Sequence, residues 1–141
     1  MKIYLLASLL LFSFITFSQK KVDWTSSYSS ENSEIVLHAE IQEGWHLYSQ
    51  YLGNDLGPIS TEIVFNPNKK VQFSNKTNEP TPKVSYDENF GGDLSYFEKE
   101  VSFRNKIKVT GETIVNGYVV YMVCNDEMCL PPAEEKFEIK L

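Results

Sequence analysis

The stretch Ile35-Val36-Leu37-His38-Ala39-Glu40-Ile41 decides the fold class. Ile35, Leu37, Ala39 and Ile41 fall on one side of an extended chain and His38 and Glu40 on the other, which is the period of two of a half-buried strand. Outward from it, Gly44 to Tyr51, Thr61 to Phe65, Val71 to Phe73, Tyr96 to Phe103, Lys106 to Ile114, Tyr118 to Cys124 and Lys136 to Leu141 read similarly. The turn signals Gly53-Asn54-Asp55, Asn66-Pro67-Asn68, Pro80-Thr81-Pro82, Gly91-Gly92 and Asn116-Gly117 fall between them. Seven or eight short strands at this spacing predict an all-β domain, a β-sandwich of immunoglobulin-like arrangement. The serine-rich residues 19 to 30 are expected to be loosely held at their start.

Asn116-Gly117 separates two strand-like runs and is a hairpin signal, because a two-residue type I′ turn needs positive φ at both central positions. The reading predicts a turn there, with Tyr118 to Cys124 as the strand that follows.

The amino terminus predicts export. Lys2 precedes the nearly unbroken apolar run Ile3 to Phe17, and Thr16-Phe17-Ser18 offers small residues for cleavage. The run is shorter than the roughly 20 residues of a membrane-spanning helix, and Gln19-Lys20-Lys21 ends it. The expected division is a signal peptide at 1–18 and one β-sandwich domain at 19–141, with no membrane span in the mature chain. Export, to the periplasm or beyond, permits disulfides.

The whole chain carries 13 basic and 19 acidic side chains, a formal net charge of −6. Losing Lys2 with the signal leaves −7. Phosphate binding needs clustered Lys and Arg, so nucleic acid is not expected as a partner. The chain has no Gly-Xaa-Ser-Xaa-Gly elbow, no phosphate loop and no zinc-protease pair.

The chain's two cysteines stand in Tyr121-Met-Val-Cys124-Asn-Asp-Glu-Met-Cys129-Leu-Pro-Pro132. Four intervening residues suit a hairpin-type loop that brings the Cα atoms within disulfide range. Pro131 and Pro132 keep the returning strand from forming a regular ladder at once. Three readings stand at this point. A structural staple is the usual role of paired cysteines in exported domains, although closing so short a ring restricts the unfolded chain by only about 2 kcal/mol. A second is a metal site using both cysteines with His46 or Met128, but the two cysteines alone are two ligands short of the usual tetrahedral set. The third reading is thiol–disulfide exchange.

The segment from Cys124 to Pro132 resembles the active region of the amino-terminal periplasmic domain of the thiol:disulfide interchange protein DsbD. Tyr86-Asp87-Glu88-Asn89-Phe90-Gly91 resembles that family's cap loop, and Gly44-Trp45-His46-Leu47-Tyr48 a strand that lines its site. The likeness spans nearly all of residues 22 to 141. It implies an immunoglobulin-like sandwich that takes electrons from a membrane-embedded donor and passes them to thioredoxin-like proteins, with no cofactor. It also implies that Cys129 forms mixed disulfides, that Cys124 resolves them, that Phe90 is a lid flanked by Asp87 and Glu88, and that His46 and Tyr48 line the site. Two features depart from the family pattern: a tyrosine is expected at His46, and one more residue between the cysteines. Because the chain ends at Leu141, donor and acceptor are expected to act in trans, or else the relay role to have been lost.

Exchange requires a thiolate that can be reached. Asp126, Glu127, Asp87 and Glu88 would surround the pair with negative charge and raise the thiol pKa. A lid over the pair would then limit loss of electrons to passing oxidants. The competing reading from a different class is a secreted binding module whose disulfide only pins a hairpin. In that reading Phe90 is a loop anchor, and Asp87 and Glu88 are solvated loop charges.

Overall fold

The computed structural model describes residues 20–141, so the expected signal peptide lies outside the described residues. These residues form eleven strands: β1 (Val22–Ser29), β2 (Glu34–Ile41), β3 (His46–Tyr48), β4 (Glu62–Phe65), β5 (Val71–Phe73), β6 (Lys83–Asp87), β7 (Gly92–Phe97), β8 (Glu100–Val109), β9 (Ile114–Tyr121), β10 (Val123–Cys124) and β11 (Ala133–Lys140). They assemble into antiparallel sheets of order β1-β2-β8-β5, β11-β9-β4 and β10-β3-β7-β6. The first two sheets form an immunoglobulin-like sandwich.

The alternation of β2 places the core. Ile35, Leu37, Ala39 and Ile41 are all buried, together with Phe103 and Ile107 of β8 and Val115 and Val119 of β9. Aromatic contacts cross the sandwich: Trp24 of β1 lies 5.4 Å from Tyr121 of β9, and Phe65 of β4 stacks at 4.7 Å on Phe73 of β5. This core cluster holds 16 buried residues. A fully buried aliphatic or aromatic side chain contributes roughly 1.5–3 kcal/mol, so the core far outweighs any bridge across a six-residue ring.

Two sequence expectations change, and one strand falls where none was expected. Asn116-Gly117 is not a turn: both residues lie inside β9, where Gly117 pairs with Phe137 on one side and Phe65 on the other. A Cβ at Gly117 would overlap the Val64 carbonyl and the Phe137 ring, so the glycine makes room between strands rather than turning the chain. β8 and β9 belong to opposite sheets, and residues 110–113 carry the chain across. The run expected from Tyr96 to Phe103 divides at Glu98-Lys99, where Lys99 takes φ 66°. The serine-rich amino-terminal segment becomes β1, paired with β2 from Val22 to Ser29. Val22, Trp24, Ser26 and Tyr28 alternate inward there, a pattern diluted by serine.

Candidate redox site

The sheet β10-β3-β7-β6 is chain-continuous with both layers of the sandwich. β7 runs through Glu98-Lys99 into β8 of one layer, and β10 follows β9 of the other after Met122. Because the 110–113 connection joins β8 to β9 at their far ends, this sheet lies at the opposite end of the molecule. Leu47, Phe97 and Val123 turn toward the main core. Period two then sends His46, Tyr48, Leu94, Tyr96 and Cys124 to the other face. Register aligns them: Cys124 is opposite His46, Tyr48 opposite Tyr96, and Asp87 opposite Gly92.

Cys124 and Cys129 are bonded, with Cα atoms 4.0 Å apart and a sequence separation of 5. The turn between them is built by Asn125, whose side-chain oxygen accepts from the amides of Glu127 at 2.9 Å and Met128 at 2.8 Å. Such local bonds are how asparagine stabilises a turn. The Asn125 amide donates to the Met128 carbonyl and the Leu130 amide to the Val123 carbonyl, which closes a short hairpin. Cys124 is fully buried, whereas Cys129 is half-buried.

A second hairpin, β6–β7, packs on the same buried cluster as the pair. The Asp87 carbonyl accepts from the Gly91 amide at 2.8 Å, and the turn closes because Gly91 takes φ 71°. Asp87 Oδ1 accepts from the Asn89 amide at 2.9 Å. The turn carries Phe90, whose ring meets Tyr48 edge-on at 6.1 Å. Phe90 and Cys129 both pack on the buried cluster of Tyr48, Leu94 and Cys124. Asn89 Nδ2 also reaches the Asn125 carbonyl at 3.4 Å, so the two hairpins touch. The approach to β6 is held by Glu79, whose carboxylate accepts from the Ser49 hydroxyl and from the Gln50 amide at 3.0 Å.

Beneath the cap lies a polar chain. The Tyr48 hydroxyl donates to Asp87 Oδ2 at 2.6 Å and lies 3.1 Å from His46 Nε2. Burial, then the hydrogen bond to Asp87 and its charge, push the Tyr48 pKa far above its ordinary value, so the phenol stays protonated. Burial pulls His46 below its ordinary value, against the opposing pull of Asp87, Glu98 and Asp126. His46 is therefore a neutral imidazole near neutral pH.

All the residues singled out from sequence fall in this region, but they are disposed differently. Asp87 is buried under the cap, with both carboxylate oxygens occupied. Glu88, Asp126 and Glu127 are exposed. His46 and Tyr48 turn away from the sandwich core, and Tyr48 is nevertheless fully enclosed because the cap lies over it. Sequence reading missed Leu94 and Tyr96, whose alternation against Phe97 was a usable signal, and the turn-building role of Asn125. The other histidine, His38, bonds to Ser102 on the β2–β8 surface and does not join the site. Among the described residues, no group of three or more His, Cys, Asp or Glu side chains is placed to hold a metal ion.

Fold and site together define a β-sandwich redox domain whose cysteine pair closes within one hairpin. The chain belongs to the family of the N-terminal domain of the thiol:disulfide interchange protein DsbD, whose family model matches residues 15–141. With its two cysteines at disulfide distance, it is a thiol–disulfide exchange domain. Solved structures agree on the fold. The reduced DsbD N-terminal domain of Neisseria meningitidis superposes with a TM-score of 0.64 at 16% identity, covering 85% of each chain. The DsbD N-terminal domain complexed with the PilB N-terminal domain, also from Neisseria meningitidis, gives a TM-score of 0.64 at 14% identity over 89% of this chain and 88% of that one. The N-terminal periplasmic domain of ScsB from Proteus mirabilis gives 0.56 at 20% identity, over 83% of this chain and 44% of that one. No curated protein matches the chain.

Proposed function

We propose that this domain is a periplasmic electron relay that cycles Cys124 and Cys129 between dithiol and disulfide. It takes electrons from a membrane donor and delivers them to thioredoxin-like proteins. The observation that carries the reading is the asymmetry of the pair: Cys129 is half-buried at the hairpin surface, and Cys124 has no exposure. An attacking sulfur has to be reached by its partner, whereas a resolving sulfur has only to reach its neighbour. Cys129 is accordingly the sulfur that forms the mixed disulfide, and Cys124 the one that resolves it. Phe90 is the lid, held by Asp87 at its base and flanked by Glu88, while His46 and Tyr48 form the floor.

A complex of a DsbD N-terminal domain with another protein domain supports docking as part of the cycle. Residues 1–18 serve as the signal peptide and residues 19–141 as the exported domain. No helix among the described residues is long and apolar enough to cross a membrane.

The test is the reduction potential of the pair, measured in exchange with thioredoxin-like proteins, with Cys129→Ser as control. A relay exchanges readily at a potential above about −300 mV, whereas a structural bridge lies below it and resists reduction. A bridge that opens only when the domain unfolds would make the protein a binding module with a stapled hairpin.

A further inference from the structure

In the disulfide Cys124 has no solvent exposure, which favours a protein group over bulk water as the acceptor of its thiol proton. Cys124 lies directly opposite His46 in the antiparallel pair of β10 and β3. Residues so paired project from one face with Cβ atoms about 5 Å apart. Nearby carboxylates are committed or remote from the burial. Asp87 accepts from Tyr48 on Oδ2 and from the Asn89 amide on Oδ1, and Glu88, Asp126 and Glu127 are exposed.

The hydrogen bonds also fix which imidazole nitrogen is free. Tyr48 has one hydroxyl proton, and it goes to Asp87. Toward His46 Nε2, 3.1 Å away, the phenol oxygen can then only accept. The imidazole proton therefore sits on Nε2, and the lone pair is on Nδ1. The groups facing the ring are Tyr48 from its own strand, Asp87 from β6, Tyr96 from β7, Glu98 just beyond β7, and Asp126 from the cysteine turn.

We infer that His46 is the proton acceptor for Cys124 in the resolving step, with Nδ1 taking the thiol proton as the sulfur attacks. The inference deepens the relay reading and rests on it. In that step Cys129 is joined to a partner sulfur. The Cys124 sulfur forms a bond to Cys129 Sγ as its proton passes to Nδ1, and the bond from Cys129 to the partner sulfur breaks. The electron pair leaves with the partner, which departs as a reduced thiolate, while Cys124 and Cys129 are oxidised to the disulfide. In the opposite direction the imidazolium returns its proton to the Cys124 thiolate.

The reduced domain is mixed with dithiobis-nitrobenzoate, an aromatic disulfide whose released thiolate is coloured, and followed by stopped flow. Attack by Cys129 releases one coloured thiolate, and resolution by Cys124 releases a second. In the wild type the rate of the second release should rise with pH and level off below the thiol's own range, as His46, held below the ordinary histidine value by burial, becomes neutral. His46→Gln should slow the second release at least about tenfold. It should also move the rise to the thiol's own range, near about pH 8.5. An equal second release in His46→Gln, or a wild-type profile that climbs through the thiol range without levelling, overturns the assignment and leaves the exchange reading standing. A wild-type protein that gives no second release removes the exchange reading itself. The wild-type profile decides the matter even if the variant fails to fold.

Discussion

Tyr48 donates its buried hydroxyl proton to Asp87 Oδ2 at 2.6 Å, which ties the strand beside the cysteines to the base of the β6–β7 hairpin. Hydrogen bonds to charged groups contribute about 1.5–3 kcal/mol, and a buried carboxylate that loses one keeps its desolvation cost. Tyr48→Phe keeps the ring against Phe90 but removes the donor. Urea unfolding should show a loss of about 2 kcal/mol, and reduced Cys129 should react faster with a small alkylating reagent. If both quantities match the wild type, this bond does not hold the cap.

Phe90→Ala removes the aromatic tip without touching the Tyr48–Asp87 bond. Alkylation of the reduced pair should accelerate several-fold while unfolding changes less than in Tyr48→Phe. An unchanged alkylation rate would refute the lid.

Gly117→Ala tests the packing between β9 and its neighbours. The new methyl group would meet the Val64 carbonyl and the Phe137 ring, and overpacking of this kind costs about 1–3 kcal/mol. The melting temperature should fall, with the exchange rate of the folded protein preserved because the cysteines lie in a different sheet. A neutral effect on melting would mean that the strands part easily.

His46 makes stability depend on pH in a definite direction. Its folded pKa is held below the ordinary value by burial, so the unfolded chain takes up the proton first as pH falls. The contribution is complete above about pH 6.5 and is lost progressively below it, toward the folded pKa. Urea midpoints should therefore fall more steeply on acidification in the wild type than in His46→Gln. Parallel curves would show that the ring is solvated.

The sandwich was legible in the sequence because β2 keeps strict alternation, and nearly every inward residue of it is fully buried. β1 and β6 were not. Serine dilutes the inward face of β1, and β6 is an edge strand whose Val84 and Tyr86 stay exposed, so neither shows a strong apolar period. Asn116-Gly117 misled because the dipeptide signals a turn only when its backbone is free to turn, and here Phe137 packs against the space that the missing Cβ leaves. The residues singled out from sequence come together in one region, but their arrangement was not readable. Spacing within one strand puts His46 and Tyr48 on a shared face. Nothing local could reveal that Asp87, 39 residues further along, would accept the Tyr48 proton rather than lend its charge to the thiols.

The two sulfurs are separated by only five positions along the chain, so they would find each other even in an unfolded polypeptide. Proximity is therefore not what the fold supplies. The sandwich supplies concealment instead: one sulfur is sealed inside and the other only half so, and the fold thereby decides which of two like atoms the outside can meet.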